Sequence, residues 1–509
     1  MLKKIILIVV IVVLAAGIIV GSSFGIVYGV VNKTDVSVKF DEAETYQTFT
    51  GFGASSAWTF RPLGRDFSED VQNQVIELLY GESGLGLDIF RYNLGGGSTE
   101  VEGCNYDDDR KAESFFDASK FVDYSSFANE ANYDFTKDSA YVSMMLKSFE
   151  MGNIRKLVIF SNSPHYLMTK NGKTNGTVEL ENNLKEDAYE AFSDYVLVCA
   201  KNIKKMLDDR GFNDVEIYLS PVNEPQWDWG GEYASQEGCH YDPEPLAKFY
   251  DVFYKKMTAF NQTNSTEFKM DIYESGNYKT NHRKAKNKEY LKEFAKYDYF
   301  NEIEELSMHS YGADDSIKHR NSFMNYADKI DLNKKITISE YCVMEWGVDE
   351  SVDRGIFSSK IIMRDLSIMN ACEWSWWLAL AYGGYEDGLV YLDKESNKIT
   401  LTYRYYMYKN IMDYIDVGDV RVKAELYDPF GWGGLDTVAF KKPTGELVII
   451  VLNDSEKDRT LTYEGLDGYT SIKKVCTSEE GKLVESEVKE ISSKMQSKAK
   501  SITTYILSK

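Results

Sequence analysis

Short apolar runs alternate with amphipathic windows along most of the chain. Eight runs of buried-strand character are spread between residues 48 and 378, and helical windows separate them. The runs are residues 48–52, 87–93, 156–162, 215–222, 268–274, 303–309, 335–341 and 371–378. The clearest helical window is 187–207, where apolar residues recur at three- and four-residue spacing. This alternation predicts an α/β protein, either a parallel (β/α)8 barrel or a doubly wound sheet.

The count of eight strands favours the (β/α)8 TIM barrel, which we place at residues 49–415. No strand is followed by the Gly-x-Gly-x-x-Gly pattern of dinucleotide-binding folds. After residue 415 the pattern changes to short β runs separated by turn residues, which predicts an antiparallel β-sandwich side domain at 416–509. The alternating run within residues 32–48 is expected to add an N-terminal strand to that sandwich.

The N-terminus predicts a membrane anchor or signal segment at residues 1–31. Lys3 and Lys4 precede the uncharged stretch 5–31, which is longer than the apolar region of about 7–15 residues in a signal peptide. It is long enough for a spanning helix of about 20 residues. An uncleaved signal-anchor is favoured over an unusually long signal peptide. Either predicts an extracellular protein, anchored to the cell surface or secreted.

The composition restricts the kind of partner that the protein can bind. With 58 Lys+Arg against 80 Asp+Glu, the formal charge is −22, which excludes a typical nucleic-acid binder. Only 5 His and 6 Cys occur, without zinc-site spacing, so we expect neither metal nor cofactor. We expect a neutral glycan partner, membrane contact through the N-terminal segment only, and a monomer.

The cysteines show no dense disulfide framework. Cys104 and Cys239 lie in Gly-rich polar loops, and a bridge between them is one hypothesis. Cys199, Cys342 and Cys372 lie in apolar patterns and are expected to be buried thiols.

Two predicted strands end in glutamate. Strand four ends in Asn223-Glu224-Pro225, and because proline cannot continue the ladder, Glu224 is expected at the strand's C-terminal end. Strand seven ends in Ser339-Glu340-Tyr341. Functional groups of such barrels lie at the C-terminal strand ends, so both carboxylates should share one mouth. Two carboxylates flanking one bond are what glycosidic cleavage requires.

Other strand ends supply candidate binding groups. Arg91 ends strand two and is followed by three glycines at 95–97, which we interpret as a tight barrel loop because no phosphate-binding Gly-Lys-Ser/Thr follows. An arginine there can hold a carboxylate ionised. His309 and Tyr311 close strand six and are candidates to orient Glu340 or a sugar hydroxyl.

Strand eight carries three tryptophans. Alternation places Trp374 and Trp376 on one face and Trp377 on the other. An aromatic face lying on a sugar ring is a common way to bind neutral glycans, although at least one of these rings should belong to the core.

These segments resemble glycoside hydrolase family 30, which includes glucosylceramidases, β-1,6-glucanases, xylanases and endo-β-1,6-galactanases. The matching stretches span the barrel in family order: 51–58, 91–98, 161–164, 220–227, 309–311, 339–341 and 374–380. The resemblance implies a clan A barrel fused to a β-sandwich. It also implies a retaining mechanism with Glu224 as acid/base and Glu340 as nucleophile.

The resemblance implies further roles around the two glutamates. Asn223 would contact the sugar 2-hydroxyl, Arg91 would support the nucleophile, and Trp376 would form the floor under the attacked sugar. Trp58 and Asn162 lie in matching stretches and are candidate substrate-binding residues. One departure stands at 165–167, where relatives commonly carry Pro and Trp in place of His165 and Leu167. This puts one sugar-stacking platform in doubt.

Segments 223–229 and 236–241 look most like the endo-β-1,6-galactanase branch. The expected function is therefore cleavage of β-1,6-galactan side chains of arabinogalactan. The strong negative charge disfavours glucuronate-bearing xylans. Alternatives are a glucosylceramidase-like or β-1,6-glucanase-like β-glycosidase, a non-catalytic surface glycan-binding protein and, with least support, a metal-dependent hydrolase.

Overall fold

A computed structural model describes residues 36–177, 181–230, 234–280, 283, 285–427, 434–488 and 494–509. The predicted anchor or signal segment at 1–31 lies outside the described residues. Within the described part, no helix has both the length and the apolarity needed to cross a bilayer.

One parallel sheet forms a nearly closed barrel. Its strands are β2 (Gly51–Ser55), β3 (Ile89–Asn93), β4 (Lys156–Phe160), β5 (Glu216–Ser220), β6 (Lys269–Met270), β7 (Ile272–Ser275), β8 (Glu305–His309), β9 (Lys335–Glu340) and β10 (Glu373–Trp377). The order is β6-β5-β4-β3-β2-β10-β9-β8-β7. Because β6 and β7 are successive pieces of the fifth predicted run, the sheet has eight barrel positions. The (β/α)8 prediction is confirmed.

The first barrel strand lies later than its predicted bounds of 48–52. Strand β1 (Val36–Thr48) belongs to a different sheet and runs through residue 48, so the barrel begins only at Gly51. The apolar Phe49 between the two strands is fully buried and misled the prediction of the boundary.

Helices surround the barrel strands. They are α1 (Phe60–Asp66), α2 (Glu69–Tyr80), α3 (Ser139–Met151), α4 (Tyr189–Asp208), α5 (Pro243–Asn264), α6 (Asn287–Phe294), α7 (Tyr299–Glu302), α8 (Ile317–Lys329), α9 (Val352–Ile368) and α10 (Tyr403–Met412). Helix α4 shows why the pattern works, since Phe192, Tyr195, Cys199 and Ile203 lie on one face and are fully buried. A small sheet follows the last barrel strand and comprises β11 (Leu380–Ala381), β12 (Val390–Leu392) and β13 (Ile399–Thr400).

The C-terminal strands and β1 form the β-sandwich. The strands are β14 (Val420–Tyr427), β15 (Leu435–Lys441), β16 (Leu447–Asn453), β17 (Arg459–Glu464), β18 (Ser471–Ser478), β19 (Gly481–Val488), β20 (Lys494–Ser497) and β21 (Ser501–Ser508). Strand β1 pairs antiparallel with β14 and parallel with β17, between which it lies. Arg364 of α9 binds Asp436 of β15 at 2.8 Å and so ties the sandwich to the barrel.

A buried ion cluster fills the N-terminal end of the barrel. Lys156, at the start of β4, lies 2.8 Å from Glu305 and 2.6 Å from Glu373, which begin two other strands. All three residues are buried, and the ammonium lies over the Tyr218 ring at 3.7 Å. The bottom of the barrel is thus closed by mutually paired charges, which leaves the C-terminal end for chemistry.

Candidate active site

Glu224 and Glu340 meet at the C-terminal mouth of the barrel. Glu224 follows β5 and Glu340 ends β9, and the two residues are 6% and 4% exposed. One carboxylate oxygen of each, together with a ring nitrogen of His309, lie within 4.8 Å of one another. The structure therefore brings the two predicted carboxylates into one site.

The backbone around Glu224 holds an uncommon conformation. Its φ of 43° lies in the left-handed region, and its N–H donates to the Glu274 carbonyl at 2.8 Å. The Trp229 indole N–H donates to the Glu224 carbonyl at 3.0 Å. Gly276 lies against the side chain, since a Cβ there would come within 2.8 Å of Glu224 Oε1. Neighbouring groups thus fix where the carboxyl points.

Glu340 is held from two sides. The Tyr311 hydroxyl donates to Oε1 at 3.0 Å, and an Arg91 N–H donates to Oε2 at 3.3 Å. Burial raises the pKa of Glu340, with His309 and Arg91 opposing the rise and the charge on Glu224 adding to it. The predicted contacts of Arg91 and Tyr311 with this glutamate are present.

A third carboxylate, Glu274, completes the cluster and was not among the predicted site residues. It is fully buried and lies 3.1 Å from Arg91 and 2.8 Å from His309 Nε2. The Ser220 and Ser339 hydroxyls also donate to it. Burial alone would raise its pKa, but Arg91 and His309 outweigh burial and lower the pKa to about 2. The available signal was a third strand-like run, 268–274, that ends in glutamate.

His309 bridges two of these carboxylates. Its Nδ1 lies 2.8 Å from Glu224 Oε1 and its Nε2 lies 2.8 Å from Glu274 Oε2. Both contacts are satisfied when both ring nitrogens carry protons. Burial opposes the charge, but Glu340, Glu224 and Glu274 raise the pKa of His309 to about 10. The side chain is therefore an imidazolium at neutral pH.

The same geometry argues against a metal centre at Glu224, His309 and Glu340. An imidazolium has no free lone pair to offer a cation, and the Arg91 guanidinium already lies at Glu340. The donor set does not fit a resident metal ion.

Unpaired polar groups line the mouth beside the carboxylates. Asn223 Nδ2 donates to Asn162 Oδ1 at 3.0 Å, which leaves Asn223 Oδ1 and Asn162 Nδ2 buried without a partner among the described residues. Asn93 Nδ2 and Trp58 Nε1 are likewise buried and have no hydrogen-bond partner among the described residues. These four residues lie at or just beyond the C-terminal ends of consecutive strands β2 to β5. Buried polar groups are costly unless paired, so these atoms are suited to bind ligand hydroxyls.

The expectation that Trp376 forms the sugar floor is wrong. Its ring packs against Tyr408 at 5.5 Å and under the Arg404 guanidinium at 4.7 Å, both on helix α10 outside the barrel wall. Trp377 instead lies 4.9 Å from the Trp58 ring and retains 8% exposure. Alternation separated the two faces correctly, and Trp377 is the one that faces the mouth.

The glycine loop after β3 binds a carboxylate of the chain itself. The N–H groups of Gly96 and Ser98 donate to the two Glu237 oxygens at 3.0 and 3.2 Å. Burial raises the pKa of Glu237 to about 7, against the hydrogen bonds from this loop. The interpretation as a structural barrel loop agrees with this contact, because Glu237 occupies the amides that a phosphate would need.

The predicted bridge between Cys104 and Cys239 is wrong, since both are free thiols. Cys104 Sγ lies 3.5 Å from the Thr174 hydroxyl, whereas Cys239 Sγ donates to the His240 carbonyl at 3.7 Å. Each sulfur thus has its own polar neighbour. The other cysteines expected to be buried thiols, Cys199, Cys342 and Cys372, are buried and free, as predicted.

His165 occupies the position where a stacking platform was in doubt. It is fully buried, and its ring stacks on Tyr166 at 4.6 Å. Burial lowers the pKa of His165 to about 3. A neutral, enclosed imidazole offers no exposed face to a sugar.

Two family models match this chain. Residues 35–391 match O-glycosyl hydrolase family 30, and residues 418–505 match the glycosyl hydrolase family 30 beta sandwich domain. An endo-beta-1,6-galactanase of Hypocrea rufa is 22% identical over 446 residues, covering 80% of this chain and 84% of that protein.

Solved structures share the fold. A conserved exported protein from Bacteroides fragilis has a TM-score of 0.76 at 22% identity, covering 92% of this chain and 100% of that one. The catalytic domain of xylanase C from Talaromyces cellulolyticus has a TM-score of 0.67 at 14% identity, covering 93% and 100%. The first family match alone spans most of the chain, so this protein belongs to glycoside hydrolase family 30 and is a retaining O-glycosyl hydrolase.

Proposed function

We propose that this protein is an extracellular endo-β-1,6-galactanase that cleaves the galactan side chains of arabinogalactan, with Glu340 as nucleophile and Glu224 as acid/base. The observation that carries the chemistry is the approach of the two carboxylates, with oxygens within 4.8 Å. Retaining enzymes place their carboxyl groups about 5–5.5 Å apart, whereas inverting enzymes need about 6.5–9.5 Å. The galactan assignment is supported by the Hypocrea rufa relative and by segments 223–229 and 236–241.

In the first step Glu340 attacks the anomeric carbon while Glu224 protonates the departing glycosidic oxygen. Arg91 and Tyr311 hold the attacking carboxylate in place. Glu224 Oε1 lies 2.8 Å from His309 Nδ1, which fixes the carboxyl that faces the leaving group. As the general acid, Glu224 transfers its proton to the departing oxygen and becomes a carboxylate.

In the second step water hydrolyses the glycosyl-enzyme. Glu224, now ionised, accepts the proton of the water, and the anomeric carbon returns to its original configuration. His309 lies 2.8 Å from Glu224 and stabilises the negative charge left after proton transfer.

The substrate would lie across the unpaired polar atoms of the mouth. Asn223, Asn162 and Trp58 would hydrogen-bond sugar hydroxyls, and Trp377 would lie beneath the attacked ring. Because these groups are uncharged, and the chain carries a net charge of −22, a neutral glycan fits the site better than an acidic one.

The test is hydrolysis of a matched panel of β-1,6-galactan, β-1,6-glucan and β-1,4-xylan oligomers by the purified protein. We expect cleavage of internal bonds in galactan and weak or no cleavage of the others. Preferred cleavage of glucan would contradict the galactan assignment and leave the glycosidase intact. Binding without product on every oligomer would point to a glycan-binding protein instead.

A matched pair of variants tests the nucleophile. Glu340→Gln should lower kcat by at least about a thousandfold, while Glu289→Gln, at an exposed glutamate on helix α6, should leave it unchanged. Full activity of the Glu340 variant would end the assignment.

A further inference from the structure

An exposed tryptophan lies in the loop that follows Glu340. Trp346 is 86% exposed, and its loop neighbour Met344 is 65% exposed. Together with Val348, which is 36% exposed, these side chains leave a group of apolar surfaces open to solvent, and covering such a group is favourable. The loop leaves strand β9 at the same end of the barrel as the two catalytic candidates.

The Trp346 ring is held in a defined position. The backbone of Trp346 forms an antiparallel β-bridge with Tyr385 in the loop after β11. The centroids of the two rings lie 5.4 Å apart, and the ring planes meet at 85°. The backbone N–H of Gly347 donates to the Gly384 carbonyl at 3.1 Å, and that of Glu386 to the Glu345 carbonyl at 2.9 Å. The indole is therefore braced from one side and open on the other. Such a preorganised ring loses little freedom when it binds.

The loop that carries Trp346 begins beside the nucleophile candidate. Cys342 lies two residues after Glu340, and its Sγ is 3.6 Å from the Tyr311 hydroxyl that donates to Glu340. Trp346 follows four residues later and packs against Tyr385. The aromatic pair therefore lies on the loop that leaves the active site.

The charge around the loop favours a neutral ligand over an anionic one. Glu345 and Glu350 are exposed on either side of Trp346, and Asp349 is partly exposed. These carboxylates disfavour an anionic membrane surface or polyanion. A neutral glycan stacks on an indole without a charge penalty.

We propose that Trp346, braced by Tyr385, is a distal subsite that stacks on a neutral sugar of the same glycan chain, several residues from the bond being cleaved. This inference rests on the proposed endo action. The enzyme would then prefer longer substrates, because only a sufficiently long oligomer reaches both the catalytic pair and the Trp346 ring.

The experiment compares Trp346→Ala, Trp346→Phe and the wild type on galactan oligomers of increasing length and on a short aryl glycoside. For long oligomers, Trp346→Ala should raise KM about tenfold with little change in kcat, a size typical of one lost ring-stacking contact. Activity on the short substrate should stay within about twofold of wild type, and Trp346→Phe should recover part of the loss. Tyr427→Ala removes an aromatic that is 63% exposed on the sandwich and serves as the matched control.

The outcomes separate this proposal from the galactan assignment. If the wild type cleaves glucan rather than galactan, the galactan assignment fails, and the same length series on glucan still tests the subsite. Equal losses on short and long substrates would show that Trp346 only supports Glu340, which overturns the subsite. Unchanged KM across all lengths overturns it as well.

Discussion

Replacement of Glu274 by glutamine tests how the buried cluster works. Glutamine keeps the shape of the side chain but removes the charge that faces both Arg91 and His309 at 3.1 and 2.8 Å. His309 is then left with Glu224 and Glu340 as its acidic neighbours. Since Glu274 contributes to the raised pKa of His309, the substitution should lower that pKa from about 10.

The size of this fall in the pKa of His309 follows from the contact that is lost. A buried hydrogen bond to a charged partner contributes about 1.5–3 kcal/mol, and about 1.4 kcal/mol corresponds to a tenfold change in affinity. The proton affinity of His309 should therefore fall by about ten- to a hundredfold. The imidazolium is charged below its pKa, so the variant should lose activity at a lower pH than the wild type as the pH rises.

The assay is kcat against pH on a galactan oligomer. We expect the alkaline limb of the profile to move down by about one to two pH units, while kcat at neutral pH, where His309 stays protonated, changes much less. Glu373→Gln, at another buried glutamate that binds Lys156, should affect stability without moving the limb. An unmoved limb with near-normal kcat in the Glu274 variant would refute the reasoning.

The same variant makes a second prediction about stability. The pKa of Glu274 is lowered from 4.5 to about 2 on folding, so its charge stabilises the protein above pH 4.5. This contribution is lost as the pH falls from 4.5 towards 2. Acid unfolding followed by circular dichroism should therefore be shallower for Glu274→Gln than for wild type in that window.

Three further outcomes are expected. Glu224→Gln should lower hydrolysis of galactan by about 10²–10⁴-fold. The variant should still cleave glycosides whose leaving group needs no proton, and azide should restore their turnover. Equal loss on both substrates would argue against the acid role. Trp376→Ala should cost about 3–5 kcal/mol of stability in urea unfolding, whereas Trp377→Ala should act chiefly on kcat/KM, and a reversal would restore Trp376 as the floor. The pKa of His165 falls from 6.5 to about 3 on folding, so stability should decline as the pH falls from 6.5 towards 3. His165→Gln should weaken that decline in thermal melts, and an unchanged slope would contradict it.

Periodicity was sufficient for the barrel but less informative about its inner face. Parallel strands are buried on both sides, so a run such as 371–378 shows two alternating faces without showing which one turns inward. This is why Trp376 and Trp377 were separated correctly and the wrong one was assigned to the sugar. Only the contacts with Tyr408 and Trp58 decide between them.

The strand-end rule found Glu224 and Glu340 but did not identify Glu274. Its strand is interrupted between β6 and β7, and the run 268–274 lacks the Asn-Glu-Pro signature that marked strand four. Its importance comes from four donors on four other strands, β3, β5, β8 and β9, and no local pattern records such convergence.

The pairing of the loop cysteines was predicted wrongly. The bridge between Cys104 and Cys239 was proposed from loop composition, which carries no information on the distance between two sulfurs.

The central claim is that Glu340 forms a covalent glycosyl-enzyme while Glu224 acts as acid/base. A 2-deoxy-2-fluoro-β-galactoside with a fluoride leaving group should slow breakdown of that intermediate, and mass spectrometry of the digested protein would locate the label. We predict one added sugar per chain, on the peptide that contains Glu340, and no label in Glu340→Gln. A label on Glu224 or Glu274, or α-configured initial product by NMR, would contradict the account.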